Sequence, residues 1–453
     1  MLDTADQPTE QLQSLIADGD GERLDEYVGD LTAGETARAV SYLEEDDQAR
    51  LLVLMSSADA ADLVEQIPNV QAVPLIEHLE PEKAAEILRE LPSDEQADLL
   101  AAVEPENAEA ILAEMSPRES QAVRDLTQYS GDVAGGLMVS EYVAFPTEAT
   151  VGDVIDGLQR RADQFRDYVV QYIYVTAETG ELVGVLRLRD LLFAGRHQII
   201  RSLMIREPLS VSALTSIDEL FDFFSRHHLL GAPVVDATGK LVGVVHRAAV
   251  EAARGAHSES NYLKSQGIVG GEELRTMPLL LRSRRRLAWL SLNIVLNIVA
   301  ASVIAFYQET LAAVIALAVF LPIISDMSGC SGSQAVAVSI RELTMGLVRP
   351  VELFYVLAKE ACVGCINGLV LGLLIASVAW LWKGNPFLGL VVGVAMALNT
   401  LVSVSIGGTV PLLLKRMNVD PALASGPVLT TITDMCGFFL VLSFASATLP
   451  LLS

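Results

Sequence analysis

A carboxylate inside an apolar run is the side chain with the most to explain. Asp434 stands in Thr430-Thr431-Ile432-Thr433-Asp434-Met435-Cys436-Gly437, and it is the one charge between Pro421 and Ser453. A charged residue near the centre of a bilayer costs roughly 2.5–3.5 kcal/mol on insertion scales, so such a group faces a wet path or a partner. A carboxylate among hydroxyls is the oxygen chemistry that a hard cation such as Mg2+ prefers. A second acid, Asp326, lies in Pro322-Ile-Ile-Ser-Asp326-Met-Ser-Gly329-Cys330-Ser-Gly332-Ser-Gln334. Pro and closely spaced Gly weaken a helix, and unwound backbone at membrane depth survives only where it is buried or lines a water-filled cavity. Carbonyls freed there would coordinate an ion or its waters. The plainer alternative is a kink with small residues at a helix contact. Asn399, and Gly407-Gly408 before Pro411, are weaker hints of the same kind.

The elements that must hold these residues are membrane spans. Leu287–Tyr307, Leu311–Ser325 with its continuation to Ile340, Ala361–Trp382, Gly384–Leu414 and Pro421–Ser453 are apolar runs near the 20 residues a spanning helix needs. Arg282, Arg284, Arg285 and Arg286 precede the first; Arg341, Arg349 and Lys359 lie between the second and third; Lys415-Arg416 follows the fourth. Positive residues favour the cytosolic face, which places the N-terminus inside, the C-terminus outside and five helices between. The four cysteines all lie in this half, and Cys362-Val-Gly-Cys365 reads as a pair of small packing residues rather than a redox site.

The other half is acidic. Residues 1–128 carry 31 Asp+Glu and 7 Lys+Arg, a balance of −24 within a chain total of −26. That excludes a nucleic-acid partner, which needs basic clusters, and suits a domain that is solvated or holds cations. Ala84-Ala-Glu-Ile-Leu, Gln96-Ala-Asp-Leu-Leu and Asn107-Ala-Glu-Ala-Ile-Leu recur, each followed by an acidic turn with Pro92, Pro105 or Pro117. Pro at a helix start with acids in the first turn is ordinary N-terminal chemistry, and stacked short helices make a superhelical domain. No nucleophile–base pair or phosphate loop stands out anywhere, so an enzyme is not expected.

Residues 132–255 are duplicated. Leu137-Met138 matches Leu203-Met204, and Thr179-Gly-Glu-Leu-Val-Gly184-Val matches Thr238-Gly-Lys-Leu-Val-Gly243-Val. Each copy has a helical stretch (Val151–Gln164, Ile217–His228), a strand (Tyr172–Thr176, Pro233–Asp236), a turn and a second strand. This resembles the tandem cystathionine-β-synthase (CBS) pair, a regulatory module that often binds adenine nucleotides. In that module an Asp after the second strand sits near a ribose. The first copy keeps it as Asp190, beside Arg189, whereas the second has Ala249 there, so the pair offers one nucleotide site at most, and a purely structural or dimerising pair is an equal alternative.

The whole series resembles the MgtE family of bacterial magnesium channels: an acidic helical domain (1–128), tandem CBS domains (129–256), a connecting helix (257–283) and a transmembrane domain of five helices (284–453). The fold class is therefore multidomain, with an all-α superhelical cytosolic domain, an α+β CBS pair and an all-α polytopic membrane domain. Asp420-Pro-Ala-Leu-Ala-Ser-Gly-Pro427 leading to Asp434 carries the most specific likeness. The resemblance implies a homodimer in the bacterial plasma membrane, an ion site at Asp434, ATP as a ligand that one CBS copy has the residues for, and closure by cytosolic Mg2+. Two departures stand out. The family's Gly-Gly-Asn-x-Gly-x-Gln is Ser328-Gly329-Cys330-Ser-Gly332-Ser-Gln334 here, and Asp326 adds a second carboxylate. The acidic run after the second CBS unit is thinned to Glu251 and Glu259, leaving Glu90, Asp94, Glu95 and Asp98 as the other candidate metal-sensing acids. A Mg2+-selective channel is thus the leading expectation. A Mg2+/Co2+ exchanger coupled to H+ or Na+ is the nearest alternative, and a membrane-tethered sensor is a third.

Overall fold

The computed structural model describes residues 7–162, 170–270, 273–275, 277–417 and 419–452. The chain divides into two compact units, Met1–Ala256 with Leu274–Met277, and His257–Glu273 with Pro278–Ser453.

In the first unit, short helices follow one another every dozen residues: α1 Gln7–Asp18, α2 Gly21–Asp30, α3 Ala33–Ser41, α4 Glu45–Leu54, α5 Ser57–Gln66, α6 Asn69–Glu77, α7 Pro81–Glu90, α8 Ser93–Ala102, α9 Pro105–Glu114 and α10 Pro117–Leu126. The string begins at Gln7, well before the recurring motifs that start at Ala84. Start signals explain the spacing. Pro81, Pro105 and Pro117 occupy first helical positions, and Thr32 with Glu35 and Ser116 with Glu119 form capping boxes. Alternate helices pack on one another, α5 on α7 and α7 on α9, burying Leu63, Ile87, Leu88 and Ile111 in one continuous core.

The duplicated region continues that core. Its elements are β1 Met138–Val139, β2 Ala144–Pro146, α11 Val151–Arg160, β3 Tyr172–Thr176, β4 Leu182–Arg187, α12 Leu188–Leu192, β5 Ile205–Arg206, β6 Val211–Ser212, α13 Ile217–Arg226, β7 Gly231–Val235 and β8 Leu241–His246. The end of the first predicted helix, at Gln164, lies outside the described residues. Two four-stranded sheets form, β2-β3-β4-β5 and β1-β8-β7-β6, with β2–β3 and β6–β7 parallel and the other pairs antiparallel. The copies exchange a strand: β1 of the first pairs with β8 of the second, and β5 of the second with β4 of the first. The repeated motifs thereby meet. Gly243 leaves room for Met138, and Gly184 leaves room for Met204, where any Cβ would collide. The acidic helices and the duplicated region also pack on each other, α8 directly against β1.

The helix after β8, α14 Arg247–Ser265, begins ten residues before the expected connector and stops well before residue 283. Gly267, at φ +83°, is in the left-handed region where glycine ends a helix, and Pro278 caps the next one. The second unit contains α15 Leu279–Phe306, α16 Gln308–Ala313, α17 Leu317–Thr344, α18 Leu353–Lys383, α19 Pro386–Arg416, α20 Pro421–Ala447 and α21 Leu449–Leu452. Among the described residues, α15, α18, α19 and α20 are long and apolar enough to cross a membrane, four where five were expected. The difference is α17, as long as α15 but polar at its centre from Ser325 to Gln334. α19 lies inside, packed by α17, α18 and α20. Its contact with α18 is a glycine stripe: Gly368 abuts the Ala397 carbonyl and Gly372 that of Gly393, so the two backbones touch.

Candidate functional site

The groove between α17 and α20 gathers the membrane acids. Asp420 starts α20 by accepting the Ala422 N–H at 2.9 Å, and the helix then runs unbroken past Pro427 to Asp434. Asp434 is 9% exposed. The Ser325 hydroxyl of α17 donates to its Oδ1. Both residues open on a cleft of about 690 Å³. From α17 it is lined by Asp326, Cys330 and Gln334, successive turns of one helical stripe, and from α20 by Thr430. The structure therefore brings Asp326 and Asp434 to one site.

It does not unwind the backbone to do so. α17 is continuous through Pro322, Gly329 and Gly332, so the expectation of freed carbonyls is overturned. The small residues serve close packing instead. Gly332 makes room for Ser403 and Leu429, Gly407 sits against the Gly332 carbonyl, and Ser403 donates to the Ser328 carbonyl at 2.5 Å. Behind this crossing Asn399 is fully buried and adjoins Gly437, one turn beyond Asp434. Cys362 and Cys365, read as small packing residues, are exposed on α18.

The cytosolic acids form a different arrangement. Asp94 and Glu95 open α8, and Asp98 follows one turn on. Partial burial pushes Asp94 up to about 6, with the charge of Glu141 adding to it against the Glu95 N–H. Burial pushes Glu95 up to about 7, and Glu65 of α5, Asp94 and Asp98 add their repulsion. Partial burial raises Asp98 as well. Ser93 fixes the place: it donates to Glu141 at 2.7 Å and accepts the Ser140 N–H at 2.8 Å. Glu90 lies exposed at the end of α7, outside this group. Glu65 and Glu141 were not foreseen, since only the packing of α5, α8 and β1 brings them near. Among the described residues no three His, Cys, Asp or Glu side chains converge closely enough to hold a metal ion. The acids crowd without enclosing a site.

Of the remaining candidates, Asp190 is held at the start of α12 by Arg187 at 2.8 Å and Arg189 at 3.6 Å. Ala249 occupies the corresponding place on α14. Glu251 is paired with Arg247 at 2.8 Å one turn away, which leaves it a poor metal ligand, and Glu259 is exposed on α14.

The apolar helices and the acid-lined groove define a membrane-spanning cation transporter, and residues 321–444 match the family described as divalent cation transporters, MgtE. Residues 12–132 match the MgtE intracellular N domain, and 131–197 and 200–253 the CBS domain. The magnesium transporter MgtE of Bacillus subtilis is 31% identical over 328 residues, 72% of each chain. That of Thermus thermophilus is 34% identical over 326 residues, 71% of each. A solved structure of the cytosolic domain of the Mg2+ channel MgtE in complex with ATP is 31% identical, covering 54% of this chain and 99% of that one at a TM-score of 0.49. The chain belongs to the MgtE family of magnesium transporters.

Proposed function

We propose that the protein is a homodimeric Mg2+-selective channel of the bacterial plasma membrane, closed from the cytosolic side by Mg2+. One observation carries the reading: a nine-tenths-buried carboxylate, Asp434, opening on a polar groove within apolar helices. With α17 as the fifth crossing, the N-terminus is cytosolic and the C-terminus outside. Mg2+ sheds its waters reluctantly. Hydroxyl, amide and carboxylate groups spaced along the groove suit a cation that keeps part of its hydration shell. Closure is assigned to Asp94, Glu95 and Asp98 with Glu65 and Glu141, whose mutual repulsion a divalent cation relieves. Glu90, Glu251 and Glu259 stand outside that assignment. The CBS pair fits one nucleotide per chain, such as ATP, with Asp190 for a ribose hydroxyl and the Arg187 and Arg189 guanidiniums for phosphate.

Asp326 and Asp434 sharing one groove is also what a proton- or Na+-coupled carrier would need. Mg2+ flux into proteoliposomes separates the two readings. A channel gives flux that follows an imposed membrane potential and ignores a proton gradient. Flux that requires the proton or Na+ gradient would replace the channel with the exchanger, and no flux from folded protein would overturn both.

A further inference from the structure

The stripe of α17 that faces the groove carries a thiol. Cys330 is free and exposed, one turn beyond Asp326 and one turn before Gln334. Side chains four apart on a helix stand about 5–6 Å apart at Cβ, close enough for one ion to bridge them. Across the groove, Asp434 gives one oxygen to Ser325, while Oδ2 accepts no hydrogen bond among the described residues. The other cysteines lie elsewhere, Cys362 and Cys365 exposed on α18 and Cys436 half-buried on α20.

Sulfur is of little use to Mg2+, which takes oxygen ligands. It is a strong ligand for soft and borderline cations such as Cd2+ and Zn2+. We propose that Cys330 is a specificity-determining residue of the groove: with Asp326 it captures thiophilic divalent cations, which bind and obstruct where Mg2+ passes. The inference rests on the groove being the ion path. Capture is a proton exchange. The thiol releases its proton to water as the metal–sulfur bond forms, and no oxidation state changes. Two protein ligands leave the other positions to water, in keeping with the absence of a three-ligand cluster among the described residues, so a chelator reverses the block.

The test uses the full chain in proteoliposomes and Cd2+ as the probe. Mg2+ flux is titrated with Cd2+ in the wild type, in C362S/C365S/C436S, which keeps Cys330, and in C330S. The first two are expected to reach half-inhibition at Cd2+ concentrations at least about tenfold below C330S, reversibly with EDTA. Equal sensitivity in all three overturns the proposal. A second readout does not depend on flux. Maleimide labelling of Cys330 in the triple-serine variant is expected to be slowed by Cd2+ and not by Mg2+, with the protection weakened on adding D326N. Labelling indifferent to Cd2+ overturns the proposal even where C330S transports nothing. Undiminished Mg2+ flux in Asp434→Ala overturns the pathway reading, and this proposal with it, whatever the labelling shows.

Discussion

Two groups of carboxylates, one in the membrane groove and one on α8, are built on opposite principles. In the groove, Asp434 is a single acid in an apolar matrix, fixed by one hydroxyl on a backbone locked by glycine contacts. On α8, several acids crowd one another at a surface, raised by burial and mutual charge, with no cation among the described residues that shift Asp94 and Glu95. The first arrangement is held by packing and one hydrogen bond, which is what the proposed ion path calls for. The second is under mutual repulsion that a cation or proton would relieve, which is what the proposed sensor calls for. Rigidity suits passage, and frustration suits response.

The sharpest way to break this contrast is at Asp434. Asp434→Ala should lower Mg2+ flux by roughly a hundredfold, equivalent to about 2.7 kcal/mol of lost ion stabilisation. Ser325→Ala, which frees the carboxylate without removing it, should cost about tenfold, the lower end for a partner that orients a ligand. Flux assays in proteoliposomes read both. Equal losses would mean that the hydroxyl, not the carboxylate, makes the site.

The rigid backbone is tested next. Gly407→Val drives a side chain into the Gly332 carbonyl, and overpacking of this kind costs about 1–3 kcal/mol. Gly329 faces open space, so Gly329→Ala should leave the thermal unfolding midpoint of the detergent-solubilised protein near that of the wild type. Similar shifts in both variants would show that the α17–α19 crossing is not held by close packing.

How much of this was legible follows from what pattern can carry. Asp434 and Asp326 announced themselves because a charge in an apolar run has no ordinary reason to be there. The duplication was visible as repeated letters, although the strand exchange that seats Met138 against Gly243 was not, since pairing is a tertiary event. The Gly and Pro of α17 misled. Read singly they break a helix, but in a packed membrane unit they let backbones approach, and the helix stays whole. The end of α14 was missed because Gly267 gives no hint of its positive φ until the chain is folded. Glu65 and Glu141, far from α8 in sequence, were hidden for the same reason.

On the responsive side, Glu95→Gln with Asp94→Asn should raise the cytosolic Mg2+ needed for closure by about tenfold, within the usual range of coupling energies. The pH dependence has a definite sign. A carboxyl raised in the folded state favours the protonated fold, so this stabilisation is present at low pH and is lost as pH rises from the ordinary range near 4 through about 6 and 7. Without divalent cations, hydrogen exchange in residues 91–103, corrected for intrinsic rates, should be faster at pH 8 than at pH 5.5. Mg2+ should slow it at pH 8 and do little at pH 5.5, where protons already neutralise the group. A Mg2+ effect equal at both pH values would remove these acids from the sensor.

The smallest effect belongs to Ser93, and it decides whether the crowding is imposed by the fold. Ser93 is 3% exposed, and its hydroxyl accepts the Ser140 N–H and donates to Glu141, so it pins a carboxylate of the strand region against the first turn of α8. Removing it forfeits two hydrogen bonds, one to a charged group, and leaves a partly buried N–H unpaired, a net loss of about 1–2 kcal/mol. Ser93→Ala should speed exchange of the Ser140 amide and let Glu141 swing away from Asp94. With that neighbour gone the strain falls, and so does the gain from binding Mg2+. Closure should then need a few-fold more Mg2+, a smaller shift than Glu95→Gln with Asp94→Asn produces. If Ser140 exchanged faster while closure did not move, the acids of α8 and Glu65 would respond to Mg2+ without Glu141.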